Sequence, residues 1–337
     1  GTKWANGKDG IYYARIDGGA PAPGYFTDKN AEPIIILAAN SSWYKGTGDA
    51  DKSKITEIEI KDSYTPDSEA DVVQQWNGDI ADSGSIKCYV EGTKLTIAGN
   101  GTGKIYANGN SSSAFSGFTA ATSITGLGLF DTSKVTNMKQ MFSSCTSLTD
   151  LDLSTWDTSK VTTLEETFNS CTALTHLNVS TWNTSSVTSM RKTFVNCSSL
   201  TTLDVSSFNT SKVTDMLGIF FNCSSLVTLT VGSWETSKVA NMSFMFNCPA
   251  LTTIYALNGW DLGAVTDSRY TFDNCGKLVG GNGTKWSSDK VGKAYACVDT
   301  EETPGYFTLM GGTEVPGGSN ISSEPDSVHI ATPSELD

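Results

Sequence analysis

Histidine is nearly missing from this chain: His176 and His329 are the only two among 337 residues. His176 stands where neighbouring segments carry Asp150 and Thr202, so it reads as a variable strand position, and His329 falls in a polar tail. General acid–base chemistry therefore has few candidates. No G-x-S-x-G elbow, phosphate-binding loop, H-E-x-x-H helix or EF-hand loop occurs. The paired carboxylates Glu165 and Glu166 arise in one segment only and read as a solvated face. The sequence is read as non-enzymatic, with no cofactor and no metal.

Basic residues are also scarce. Lys and Arg total 23 against 36 Asp and Glu, a formal charge of −13, which disfavours a phosphate-backbone partner because such binding depends on cationic side chains. No run of about 18 apolar residues exists, so no membrane insertion is expected. The opening Gly1-Thr2-Lys3-Trp4 lacks a charged-then-apolar leader, and the sequence reads as a mature or trimmed fragment. A hydrophobic share of 38% nevertheless places it among folded chains rather than disordered ones.

What is present is self-similarity. Phe142, Phe168, Phe194, Phe220, Phe246 and Phe272 recur every 26 residues, as do Val135, Val161, Val187, Val213, Val239 and Val265. Further columns run Met138, Leu164, Met190, Met216, Met242; Leu148, Leu174, Leu200, Leu226, Leu251; and Trp156, Trp182, Phe208, Trp234, Trp260, with one deletion near Cys248. Within a unit, Leu148-x-x-Leu151-x-Leu153 ends in period-two alternation, which predicts a short strand with Leu151 and Leu153 inward. The equivalent pairs are Leu177/Val179, Leu203/Val205 and Leu229/Val231. After Trp156, Asp157-Thr158-Ser159 offers cap residues and Val161, Leu164 and Phe168 fall at i, i+3 and i+7, which predicts a short helix. A single unit cannot bury enough surface to offset the ordering of its own chain, so neighbours must complete each other's core.

The fold class expected is an α/β repeat solenoid, a coil of short parallel strands and short helices with a β-rich N-terminal cap. Residues 114–282 form the array of about six coils, and Phe115-Ser116-Gly117-Phe118 is a degenerate first coil with Phe118 in the Cys position. Residues 29–113 form the cap, with strand candidates at Ile34–Leu37, Ile55–Ile60, Ile86–Val90 and Lys94–Ala98 and a hairpin turn at Glu91-Gly92-Thr93. Residues 283–310 are the C-terminal cap. Gly283-Thr284-Lys285-Trp286 and Pro304-Gly305-Tyr306-Phe307-Thr308 echo Gly1-Thr2-Lys3-Trp4 and Pro23-Gly24-Tyr25-Phe26-Thr27, so residues 1–28 read as the end of a preceding module. Residues 311–337, rich in Gly, Pro, Ser and acids, read as linker or disordered tail.

The pattern Asp-Thr-Ser-Lys-Val-Thr-x-Met-x-x-x-Phe-x-x-Cys-x-x-Leu-x-x-Leu-x-Leu-x-x-Trp resembles that of the BspA-like leucine-rich-repeat surface proteins of bacteria. The flanks Trp43-Tyr44-Lys45, Ile55-Thr56-Glu57-Ile58, Ser63-Tyr64-Thr65-Pro66 and Lys104-Ile105-Tyr106-Ala107-Asn108 are similar to that family's segment before the array, so the resemblance covers residues 1–308. It implies a curved, right-handed leucine-rich-repeat-like coil, secreted or on the cell surface, adhering to a host or cell-surface protein or glycan. Surface attachment follows from the resemblance alone, because the residues show no signal, anchor or membrane segment.

Each conspicuous column has two readings. Cys145, Cys171, Cys197, Cys223, Cys248 and Cys275 lack the close pairing of a zinc site and read as buried thiols. Trp156, Trp182, Phe208, Trp234 and Trp260 suggest a sugar-stacking platform or a roof over the core, and Phe208 favours the roof. Lys134, Lys160, Lys212 and Lys238, broken by Ser186, read as an exposed stripe near the helix starts. Thr136, Thr162, Thr188, Thr214 and Thr266 suggest an ice-binding array, which intervening helices would break. Tripeptides such as Asn178-Val179-Ser180 and Asn196-Cys197-Ser198 match a glycosylation pattern by way of the repeat consensus. A Cys88–Cys297 bridge is disfavoured, since six stacked strands separate the two caps by about 25 Å, beyond the ~7 Å Cα limit. Ligand contacts are expected at the outward strand positions Asp152, Asn178, Asp204 and Thr230 on a concave face. The alternative is a structural spacer within a longer surface protein.

Overall fold

A computed structural model describes residues 35–80, 84–101, 103–257 and 259–311, together with the antiparallel backbone pairing of Ala5–Asn6 and Tyr12–Tyr13. The readings of residues 1–28 as a module end and of 312–337 as a tail otherwise lie outside the described residues.

Alternation builds the N-terminal sheet. In Glu57–Lys61, Ile58 and Ile60 are buried while Glu57 is exposed, and the strand pairs in parallel with both Lys94–Ala98 and Ser123–Thr125. Lys87–Glu91 and Lys94–Ala98 form an antiparallel hairpin with Glu91 opposite Lys94. Its turn places Gly92 at φ 58, a backbone that glycine enters without steric cost. A further strand, Val72–Asn77, pairs on the outer side of Lys87–Glu91. It was not among the sequence candidates, because its Gln74 and Gln75 carry no strand signal and none of its residues is fully buried.

Ser123–Thr125 opens the first coil, so this sheet runs directly into the array. Coil follows coil in register. Single parallel bridges link Asn110, Asn137, Thr163, Ser189, Asp215, Asn241 and Asp267 in turn. On another side, Asp150–Asp152 pairs with His176–Asn178, and Thr202–Asp204, Thr228–Gly232, Thr253–Ala256 and Phe307–Leu309 form a second parallel ladder. Period-two alternation turns Leu151, Leu203, Leu229 and Ile254 inward. Phe142, Phe168, Phe194 and Phe220 stack face over face through the centre, with neighbouring centroids 5.6–5.7 Å apart and planes within 5°. The Val and Leu columns are buried around them.

The predicted helices are overturned: the described residues contain no α-helix, only strands, turns and five three-residue 3-10 segments. Two left-handed residues in each coil, save the coil of Phe244 with one, explain this. In one coil they are Glu166 (φ 54) and Ser170 (φ 61), in the next Lys192 (φ 54) and Asn196 (φ 59), and right-handed helix geometry ends at such positions. The amide donors are then divided. Leu164, Glu166, Phe168 and Ser170 donate forward to carbonyls of Ser189, Arg191, Thr193 and Val195 in the next coil, at 2.9–3.0 Å. Thr167, Asn169 and Cys171 instead bond three residues back, to Leu164, Glu166 and Phe168. Direct backbone bonding holds coils at strand spacing, about 4.8 Å, whereas packed helices stand about 8–10 Å apart. Tight three-residue turns thus produced the i, i+3, i+7 stripe.

The supposed caps have a different task. Asp157 Oδ1 accepts from Ser159 N at 2.9 Å, closing a local turn, while the buried Thr158 donates its hydroxyl to Asn183 O in the next coil at 3.1 Å. Thr184, Thr210 and Thr236 repeat that link to Asn209, Glu235 and Asp261. The exposed threonine stripe is engaged too: Thr162 and Thr188 each aim both backbone N–H and hydroxyl at the carbonyl of the threonine one coil back.

Candidate binding face

The short strands leave one side chain in two facing outward. At the second outward position, Asp152 lies beside Asn178 in one ladder and Asp204 beside Thr230 in the other. The first three are exposed and Thr230 is half-buried. The row continues through Tyr255, 37% exposed, to Thr308. Tyr255 was missed in sequence because the one-residue deletion shifts its column; counting 25 rather than 26 from Thr230 finds it.

Three of the four expected contacts also shape the backbone. Asp152 Oδ1 accepts from Ser154 N at 3.0 Å and Asp204 Oδ1 from Ser206 N at 2.9 Å. Asn178 Oδ1 accepts from both the amide (3.3 Å) and the hydroxyl (2.8 Å) of Ser180. Each side chain therefore closes the turn that ends its strand. The first outward row holds Asp150, His176, Thr202, Thr228 and Thr253, and His176 Nδ1 sits 3.9 Å from Asp150 Oδ2. The rows are acidic at the early coils and uncharged at the late ones, where Tyr255 is exposed; Val227, Leu257, Val279 and Leu309 are exposed as well but lie outside these rows.

The other columns resolve as packing. Trp156, Trp182, Phe208, Trp234 and Trp260 are all buried, and the indole N–H groups of Trp156, Trp182 and Trp234 donate to Leu127, Leu153 and Val205 carbonyls at 3.3, 3.3 and 3.0 Å. Their rings roof the core and leave no face for a sugar. Trp260 Nε1 is buried without a partner, and the strand pairing of its coil carries a register shift between Thr230 and Gly232. The six column thiols are buried, and each donates to a phenylalanine carbonyl of the preceding coil, as Cys145 does to Phe115 at 3.0 Å. Burial pushes the Cys145 and Cys275 thiols up to about 12 and those of Cys171, Cys197 and Cys248 well above the ordinary range. Cys88 is buried in the N-terminal sheet and Cys297 half-buried in the C-terminal segment, both free. Among the described residues no group of three His, Cys, Asp or Glu side chains is placed to hold a metal, and no helix is long and apolar enough to cross a membrane.

A cleft of ≈ 880 Å³ opens on the N-terminal sheet between residues 63–69 and the strands Val72–Asn77 and Lys87–Glu91. Tyr64 and Tyr89 line it, with ring centroids 5.6 Å apart and edge-on. The Tyr64 hydroxyl donates to Glu91 Oε2 at 2.6 Å, which holds its proton up to about 12. The segment Ser63-Tyr64-Thr65-Pro66, one of those that carry the resemblance, forms one wall of this cleft.

The model of a family described as "Mycoplasma protein of unknown function, DUF285" matches residues 110–226 and 196–303, together more than half of the chain. No curated protein and no solved structure matches.

Proposed function

The chain belongs to the DUF285 family, and we propose that it is a non-enzymatic adhesion module of a cell-surface or secreted protein, a leucine-rich-repeat-like solenoid related to the BspA-like proteins, which presents its outward strand rows to a protein or glycan partner. One observation carries the reading: an inward ladder of constant apolar residues supports an outward row, Asp152, Asn178, Asp204, Thr230 and Tyr255, whose chemistry changes from coil to coil. Packing dictates the first set and leaves the second free for recognition.

A spacer role is favoured by a different observation, the turn-closing bonds of Asp152, Asn178 and Asp204. Charge exchange separates the two readings. The triple variant Asp152→Asn, Asn178→Asp, Asp204→Asn keeps an Asx side chain to close every turn while altering the charge of the row. Surface plasmon resonance against immobilised matrix proteins and glycans is expected to show binding by the parent chain and at least tenfold weaker binding by the triple variant, at equal melting temperature. Binding that survives the exchange rejects the strand-row site; no binding by either chain supports the spacer.

A further inference from the structure

The left-handed position of each coil projects a side chain on a face distinct from the strand rows. Successive coils place Ser113, Gln140, Glu166, Lys192, Gly218, Phe244 and Tyr270 there, at φ 54 to 58. The array thus passes from polar side chains to two aromatic ones. A bulky L-residue at such φ is a marked outlier, yet Phe244 stacks on Tyr270 at 5.2 Å with planes 29° apart, and Phe221 meets Phe244 edge-on at 6.1 Å. Tyr270 is 51% exposed and the two phenylalanines are half-buried. Core packing does not call for them.

Gly218 opens a notch where this stripe turns from polar to aromatic. With no side chain between Lys192 and Phe244, a recess of ≈ 380 Å³ is lined by Lys192, Val195, Asn196, Leu217, Phe221 and Phe244. Planar amides run alongside: Asn222 Nδ2 donates to Asn196 Oδ1 at 2.9 Å, and Asn274 Nδ2 to Asn247 Oδ1 at 3.3 Å.

We infer that this stripe is a binding site for a neutral saccharide chain lying along the array axis, an inference that deepens the adhesion reading and rests on it. Area argues against a protein. Three part-exposed rings offer about 200–300 Å² of apolar surface, far below the ~800 Å² per partner of a stable interface. A recess walled by aromatic rings and bordered by amides suits a sugar, which has an apolar C–H face and a rim of hydroxyls. The net charge of −13 disfavours a polyanionic glycan. Stacking at 5.2 Å covers the mutually facing sides of Phe244 and Tyr270, so one sugar unit enters the Gly218 notch against Phe221 and Phe244 and the next follows over the exposed rim of Tyr270.

The test uses the full chain on a printed array of neutral oligosaccharides, with titration calorimetry on the hexasaccharides retained. Phe244→Asn and Tyr270→Asn remove one ring each while keeping a residue that tolerates left-handed backbone, so melting temperature should hold or rise. Each is expected to weaken binding about two- to tenfold, and Gly218→Gln, which fills the notch, to weaken it further. Three outcomes overturn the inference: no neutral saccharide bound, affinity unchanged in both ring variants, or a dimer in sedimentation velocity that Phe244→Asn dissolves. Adhesion to matrix proteins is measured in parallel. Adhesion without saccharide binding rejects this site alone, whereas loss of both rejects the adhesion reading with it.

Discussion

Exchanging glycine in and out of the left-handed column yields a prediction whose sign separates turn from helix. Lys192 occupies that position at φ 54, and Gly218 the same position one coil later at φ 58. Left-handed geometry costs an L-residue about 1–2 kcal/mol, while glycine's greater freedom in the unfolded chain takes back about 0.5–1 kcal/mol. Lys192→Gly should therefore stabilise by about 0.5–1 kcal/mol. Gly218→Ala should destabilise by a similar amount, and purely through the backbone, since a Cβ there meets nothing nearer than Phe221 Cβ at 3.5 Å. For a domain of this size the shifts amount to about 1–4 °C in Tm, readable by circular dichroism and by urea midpoint at constant slope. A helix at these positions would reverse both signs, because glycine in a helix interior costs about 1 kcal/mol relative to alanine. A lower Tm for Lys192→Gly together with a higher one for Gly218→Ala would refute the turn geometry.

The orphaned indole gives a second test. Trp260→Phe removes a buried N–H without a partner, so it is expected to cost about 1 kcal/mol less in urea denaturation than Trp234→Phe, which breaks a 3.0 Å bond to Val205; equal costs would place a hidden acceptor beside Trp260. The thiols give a third. Burial raises Cys145 and Cys275 from 9.0 to about 12, so the folded state holds protons that the unfolded state releases, and their contribution, complete below pH 9, declines as pH rises from 9 towards 12. The urea midpoint should fall between pH 9 and 10.5, less steeply in the Cys145→Ala, Cys275→Ala double variant; identical slopes would mean that these thiols do not titrate as buried groups.

Much of the fold was legible because coil stacking repeats every inward position. The columns at Phe142, Val135 and Leu148 needed only counting, and burial of the Trp and Cys columns followed from their company. The turn-for-helix error had a physical origin: three-residue turns and a helix both bring residues three or four apart to one side, so Val161, Leu164 and Phe168 fit either. A signal was present in the column Gly117, Ser144, Ser170, Asn196, Asn222 and Asn274, all left-handed, four of them Gly or Asn, the types that adopt such backbone readily. Gln140, Glu166 and Lys192 at the other left-handed position hid it, being good helix formers. The outward strand row was legible from alternation, but the turn-closing bonds of its Asp and Asn side chains depend on backbone geometry that no spacing reveals.

Division of the backbone donors between coil and neighbour has a consequence for recognition. A helical unit satisfies its own amides, whereas here alternate turn amides of each coil are satisfied by the next coil's carbonyls, so main-chain bonds fix much of the backbone across the array, with Asp152, Asn178 and Asp204 adding the bonds that close their strand-end turns. Substitution at an outward column that closes no turn is then nearly free of effects on the core, and residues there are constrained mainly by what they meet outside. The left-handed column departs from that freedom in one direction: polar, amide and glycine residues suit it, and large rings do not. Phe244 and Tyr270 sit there at the expense of backbone energy and give the core nothing. Strain held at exposed aromatic side chains is a stronger mark of a binding surface than variability alone, which places the saccharide stripe ahead of the strand row as the first surface to mutate.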